Sequence, residues 1–182
     1  KTKGVFSTSE EAAAAGLSLR SESGELIPFS AGDMRFEEVV EDHIINEKDL
    51  QVIGDPNPDL YGNFNFNLRY KNLTLETLFT YSYGNDAYNG LRANLESGSN
   101  IYNQATSMQN RWVANGQKTD IPRAVYKDPM GNSRFSDRWI EDASFLKFKT
   151  LSVSYKVPLN LSYLQEITVW GTVNNLFTLT KY

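Results

Sequence analysis

The chain has 182 residues, enough for one ordinary domain on length alone, and its formal net charge of -4 disfavours nucleic acid as a partner. It contains no cysteine, which excludes a disulfide-stapled scaffold and thiolate metal sites. Ten Tyr and ten Phe stand beside 17 Asn, a combination suited to half-wet β surfaces and polar loops.

No apolar run approaches the roughly 20 residues of a transmembrane helix. The opening "KTKGVFSTSEEAAAAGL" lacks the apolar stretch of a signal peptide, so the start reads as that of a fragment. Residues 7–16 predict the one convincing helix, with Ser7 or Thr8 as cap, Glu10 or Glu11 answering as a capping box, four alanines, and Gly16 as the stop. With little apolar face beyond Ala and Leu17, it is expected to be a surface helix inside a longer loop. Residues 18–33 read as loop and Met34 to Val40 as a short strand. In the turn-rich stretch that follows, Pro56 and Pro58 forbid both helix and central strand.

From Asn63 to Tyr83 the chain alternates almost strictly. Phe64, Phe66, Leu68 and Tyr70 share one face and Asn63, Asn65, Asn67 and Arg69 the other. After a compact Lys71-Asn72 turn, Leu73, Leu75, Thr77, Phe79, Tyr81 and Tyr83 lie opposite Thr74, Glu76, Leu78, Thr80 and Ser82. This predicts a β-hairpin over 62–83 with strands of about 9–11 residues, the length that spans a membrane, where a soluble strand averages about 5–6. Residues 84–138 carry no clear period, which is odd in a compact soluble domain and ordinary in the outer loop of a membrane barrel. Strand signal returns at Phe145 to Val157. Leu146 and Phe148 have one parity and Leu151, Val153, Tyr155 and Val157 the other, so a β-bulge is expected near Thr150. Pro158 stops that strand. Residues 158–165 connect it to a last strand over 166–174, with Ile167, Val169 and Val173 on one face and Trp170 on the other.

The connections alternate short, long, short. This pattern suits a mainly β fold class: antiparallel up-and-down strands of a partial transmembrane β-barrel, with long outer loops and a short surface helix. All 182 residues read as part of one barrel domain: an outer loop with a short helix and strand (1–61), the hairpin (62–83), a long outer loop (84–138), and two further barrel strands (139–182). The Phe/Leu/Tyr face then meets lipid and the Asn/Thr/Arg face a wet lumen. Patterning alone allows a soluble β-sandwich equally well.

Four phrases occur in order: "IGDPNPDLYG" with its aromatic hairpin and "YGND"; "RW…DIPR"; "SDRWIEDASFLKFKTLSVSYKVP"; and "WGTVNNLFTLTKY". Together, over residues 32–182, they resemble the C-terminal part of a SusC/RagA-type TonB-dependent outer-membrane transporter. The resemblance implies a bacterial outer-membrane importer of oligosaccharides or peptides, with a barrel of about 22 strands around a plug, a SusD-type surface lipoprotein as lid, and TonB as motor. This chain would supply wall strands and outer loops, next to outer-membrane lipid. The alternative is a soluble β-rich glycan-binding or adhesion module. Two departures stand out. The chain stops where the family continues through a final strand, so the isolated piece is expected to self-associate through open edges. A calcium-like loop of the family is eroded to "EVVEDHIINEKD", residues 38–49: Glu38, Asp42, Asn46 and Asp49 still offer oxygens, but Val40 removes a ligand and His43 replaces the turn glycine.

Enzyme chemistry has little to stand on, and no cofactor, metal or catalytic residue is expected. His43 is the only histidine, and no nucleophile elbow, P-loop or zinc motif occurs. Glu37/Glu38 and Glu141/Asp142 are sequence neighbours that point apart on an extended chain. Tyr102, Trp112 and Tyr126 in the long loop are weighed as stacking groups for a substrate, with a loop-pinning role favoured for Trp112. The ligand-binding residues and the imported substrate are not legible in the sequence.

Overall fold

The structure, a computed structural model, describes residues 1–21, 23–159 and 163–182. In chain order its elements are β1 (Thr2–Val5), α1 (Ser9–Ala15), β2 (Ser18–Arg20), β3 (Leu26–Pro28), β4 (Met34–Phe36), β5 (Ile44–Ile45), β6 (Leu60–Tyr70) and β7 (Leu73–Tyr83). Then follow β8 (Asp86–Tyr88), α2 (Gly90–Leu95), β9 (Ile140–Asp142), β10 (Phe145–Val157) and β11 (Ile167–Thr180). They fall into two units: Lys1–Gly54 with Tyr88–Ile140, and Asp55–Ala87 with Glu141–Tyr182.

The second unit is built on one antiparallel sheet in the order β11-β10-β7-β6, with strands of 11 to 14 residues. The four segments expected as neighbours are neighbours, in that order. A two-residue turn pins the hairpin register by pairing Tyr70 with Leu73, and Lys71 takes the positive φ (52°) that the turn requires. From there Leu68 meets Leu75 and Phe64 meets Phe79, so the two apolar rows share a face.

The expected bulge lies between Phe148 and Thr150. It absorbs the parity break and returns Leu151, Val153 and Tyr155 to the face of Phe148, opposite Thr77, Leu75 and Leu73. The last strand does not end at residue 174. It runs on to Thr180, because a second extra residue, with Asn175 left-handed at φ 55°, moves the pairing from Thr150–Asn174 to Phe148–Phe177. At this level an aromatic row crosses all four strands. Phe64, Phe79, Phe148 and Phe177 have successive ring centroids 4.9, 4.3 and 5.6 Å apart, a cross-strand arrangement that stabilises the sheet beyond its buried area.

Both outer strands are open. Every residue of β11 is exposed, and all of β6 but Gly62. Unpaired edges and a bare apolar face promote association. Residues 1–182 in detergent-free buffer are therefore expected to form oligomers whose mass by light scattering rises with concentration and falls on adding detergent. A concentration-independent monomer would show that the strands cover their own apolar face.

The first unit has its own core. Phe6, Phe29, Met34, Phe36, Ile45 and Met130 are buried together, with Trp112 packed against them. Helix α1 joins this core through Ala12, so it is more than a surface helix. Thr8, not Ser7, caps it: its Oγ accepts the Glu11 N–H, and the Glu11 carboxylate accepts from the Ser7 N–H. Gly16 closes it in the left-handed conformation.

Residues 18–33, expected as loop, hold the β2–β3 hairpin, with β5 added in parallel to β2. The pairing covers only three residues a side, too short for alternation to show. The strand expected over 34–40 ends at Phe36; β4 pairs with β1, and beyond it Val39 and Val40 turn their N–H groups to Asp49. Residues 84–138 are not structureless either. They contribute α2, short 3₁₀ turns and the buried Met108 and Met130.

Candidate functional site

The polar face of the long sheet carries side-chain pairs rather than a reactive cluster. Asn67 Nδ2 donates to Glu76 at 3.3 Å, Thr150 to Asn174 at 3.1 Å, and Ser152 pairs with the Thr172 hydroxyl at 3.0 Å. Trp170, opposite Ser154, lies on that face, as do Tyr61 and Phe145, both paired with Ser82. The opposite face is apolar and open, with Phe66 57% and Leu68 62% exposed.

In the first unit, buried charge organises the loops. Asp33 is fully buried and accepts from Arg123 Nε and Nη2, both at 2.9 Å, from Asn132 Nδ2, and from the Ser30 N–H and hydroxyl. Asn132 in turn accepts the Met34 N–H at 2.8 Å. Two distant stretches of chain, at Arg123 and at Asn132, are thus tied to one carboxylate. Beside it, Gly32 (φ 85°) leaves room for the Trp112 ring; a Cβ there would lie 2.4 Å from Cε3. Trp112 Nε1 donates to the Ser7 carbonyl at 3.1 Å, so Trp112 pins the loop. Tyr102 and Tyr126 stay exposed.

A second charged cluster was not legible in the sequence. Helix α2 begins at the Asn89 cap and ends beside Glu96, whose buried carboxylate accepts from Arg92 Nε at 3.2 Å and from the Ser107 hydroxyl at 2.7 Å. Arg138 lies beyond, its Nη2 3.7 Å from Glu96 Oε2 and its guanidinium centre 4.3 Å from the Trp139 ring. Burial lowers the Arg138 pKa to about 10, with Glu96 opposing the shift; it remains a cation at neutral pH. Arg92, Glu96, Ser107, Asp120 and Arg138 line a cavity of about 440 Å³. Only the "DRW" phrase hinted at it, and a lone Arg beside a Trp carries no distinguishing spacing.

The acidic loop spends its oxygens on its own backbone. Asp49 accepts from the Val39, Val40 and Asn46 N–H groups, Asp42 from Ile44, Asn46 from Lys48, and Glu38 from the His43 N–H. His43 holds a positive φ of 59°, the left-handed region that favours glycine. Glu37 goes a different way from Glu38, to Lys3 at 2.9 Å and to Gln51. Asp142 accepts the Ser144 N–H.

Burial works to raise the Asp49 pKa, yet the three backbone donors and Lys48 outweigh it and hold it below the ordinary aspartate value. A depressed folded pKa gives stability that is complete above the unfolded value and lost as pH falls through the folded one. Hydrogen-exchange protection of the Val39 and Val40 amides should thus be flat from pH 7 to 5 and fall below about pH 4, the aspartate range. Protection that stays flat to pH 2, or fails near pH 6, would show that Asp49 does not hold the loop.

No family model matches the chain. TonB-dependent receptor P3 of Formosa agariphila is 34% identical over 141 residues, which are 76% of this chain and 14% of that protein. TonB-dependent receptor P26 of the same organism is 29% identical over 157 residues, 85% of this chain and 16% of that protein. The chain therefore spans about one-seventh of the length of the curated relatives it matches. Among solved structures, the RagAB peptide importer in its closed-closed state superposes with TM-score 0.68 at 21% identity, covering 100% of this chain and 19% of the other. The open-open state gives 0.67 at 20% identity, covering 100% and 18%.

Long antiparallel strands, apolar on one face and polar on the other, joined by a folded loop unit, define a stretch of outer-membrane β-barrel wall. The chain belongs to the TonB-dependent receptors, which are outer-membrane proteins, and shares its fold with part of the RagAB importer.

Proposed function

We propose that the chain contributes wall strands and folded outer loops to an energised importer of oligosaccharides or peptides, which works with a SusD-type surface lipoprotein and TonB. The observation that carries this reading is the uncovered apolar face. Phe66, Leu68, Val169 and Val173 are each more than half exposed along strands long enough to cross a bilayer. A soluble sandwich would bury that face under a second sheet, so the wall reading is favoured over the glycan-binding module. The named relatives and the RagAB likeness support the same choice. The Asn, Thr and Ser rows of the other face suit a wet lumen, and on this reading the first unit, made of the long connections, faces the cell exterior.

The test uses the full-length receptor expressed in the outer membrane of a host that lacks it. Fluorescent oligosaccharide and peptide pools should accumulate inside the outer membrane, stop on dissipating the proton-motive force, and fail in a TonB deletion. The receptor should also carry a surface lipoprotein through detergent purification. Accumulation that ignores TonB, or a full-length product released as a soluble protein, would overturn the reading.

A further inference from the structure

The cavity beside α2 holds a mismatch of donors and acceptors. The Arg138 side chain is 7% exposed and that of Glu96 9%. Glu96 serves Arg92 and Ser107 with good geometry, but at 3.7 Å it gives Arg138 an ion pair without a hydrogen bond. Both terminal nitrogens of Arg138 are buried and have no hydrogen-bond acceptor among the described residues. A buried guanidinium is retained where its planar fork is used, and the group that fits the fork is a carboxylate bound through two parallel N–H donors.

Asp120 shares the wall with Glu96, so the cationic side, Arg92 and Arg138, is the part that suits this guest. Arg92 has a 41% exposed side chain and presents a second guanidinium at the cavity. About 440 Å³ is room for the residue that bears a carboxylate as well as for the carboxylate itself. Arg138 stacks on Trp139, which is fully buried and donates its Nε1–H to the Arg134 carbonyl at 3.0 Å, so the fork rests on a fixed plane.

We infer that this cavity is a binding site for a carboxylate on the transported oligomer: the ligand meets Arg92 first, then takes the place of Glu96 between the two guanidiniums and fills the Arg138 fork. Glu96 is thus the internal competitor of the ligand, offsetting the repulsion between the two cations until a carboxylate arrives from outside. The inference rests on the importer reading for the origin of the ligand. The carboxylate has two sources, an acidic peptide or a uronic-acid oligosaccharide, which share this chemistry.

The experiment measures binding to purified full-length receptor in detergent, which is independent of uptake. The probes are a short peptide with a free C-terminal carboxylate, the same peptide amidated, a uronic-acid tetrasaccharide, and its methyl ester. One free-acid probe should bind at least tenfold more tightly than its capped partner, and which one it is identifies the source. Arg138→Lys keeps the cation but not the fork and should erase that difference. Glu96→Gln, which removes the competitor, should tighten the free-acid probe several-fold and leave the capped one unchanged. Hydrogen exchange at the amides of positions 93 and 96, which bond to the Asn89 and Arg92 carbonyls and close α2, checks that each variant keeps the local fold. Equal binding of free and capped probes, no binding of either free acid, or weaker free-acid binding in Glu96→Gln would each overturn the inference. If carboxylate binding holds while TonB-dependent uptake fails, the importer reading falls and the site stands.

Discussion

Replacing Asp33 with Ala is expected to destabilise the unit formed by residues 1–54 and 88–140 by about 3 kcal/mol, the lower end of the range for breaking a buried ion pair. The lower end applies because the Arg123 side chain is 33% exposed and can turn to water. Asn132, only 2% exposed, cannot, and loses the acceptor for its Nδ2. Ser30 loses two bonds at the same time. Asp33→Asn keeps the shape and part of the bonding, so its cost should be smaller. Native-state hydrogen exchange in the full-length receptor measures this directly, at the Phe6, Gly32 and Arg123 amides that close this unit. A cost under about 1 kcal/mol, the scale of a single ordinary hydrogen bond, would mean that the apolar core alone holds the unit.

The second large effect concerns the two faces of the wall. Phe66 pairs with Thr77 on the apolar face and packs edge-on to Phe64 at 5.7 Å. Asn67, its neighbour on the other face, pairs with Glu76. In the full-length receptor Phe66→Arg should cost about 2–4 kcal/mol on folding into bilayers, the cost of a cation on the lipid side near mid-depth. Asn67→Arg should be close to neutral, because the new cation stands directly across from Glu76. Phe64, Leu75 and Phe79 should follow Phe66, and Asn65, Thr74 and Glu76 should follow Asn67. Equal tolerance of Arg at 66 and 67 would mean that the faces have been assigned wrongly.

The wall was readable because period, turn and length all agreed. Strict alternation fixed the faces of β6 and β7, and the Lys71-Asn72 turn fixed their pairing. The bulge in β10 announced itself as a parity break between Phe148 and Leu151. The matching irregularity in β11 stayed hidden. There the apolar residues 173 and 177 keep the same parity across it, and Asn175 reads as a stop rather than as a left-handed step inside a strand. The loop unit was hidden for a different reason. Its core takes Phe6, Phe29, Met34, Phe36 and Met130 from short separate stretches, and the one alternation among these residues, Met34 and Phe36 of β4, is only two residues long. Much of its backbone bonding runs to Asp33, Asp49 and Asp128 rather than along ladders. Sequence patterning sees ladders and helical faces; it does not see a carboxylate chosen as a hub. Arg138 and Glu96 escaped notice in the same way, since 42 positions apart they look like two unrelated surface charges.

The division of the loop unit into two stretches on either side of Asp55–Ala87 also sets a timetable. Residues 1–54 leave the ribosome with Phe6, Phe29 and Phe36, and with Asp33, but Arg123, Asn132 and Met130 arrive only after the whole β6–β7 hairpin. Until then three aromatic rings lie uncovered and one carboxylate lacks its cation. The Asp33–Arg123 pair can therefore close only after the whole β6–β7 hairpin has been made.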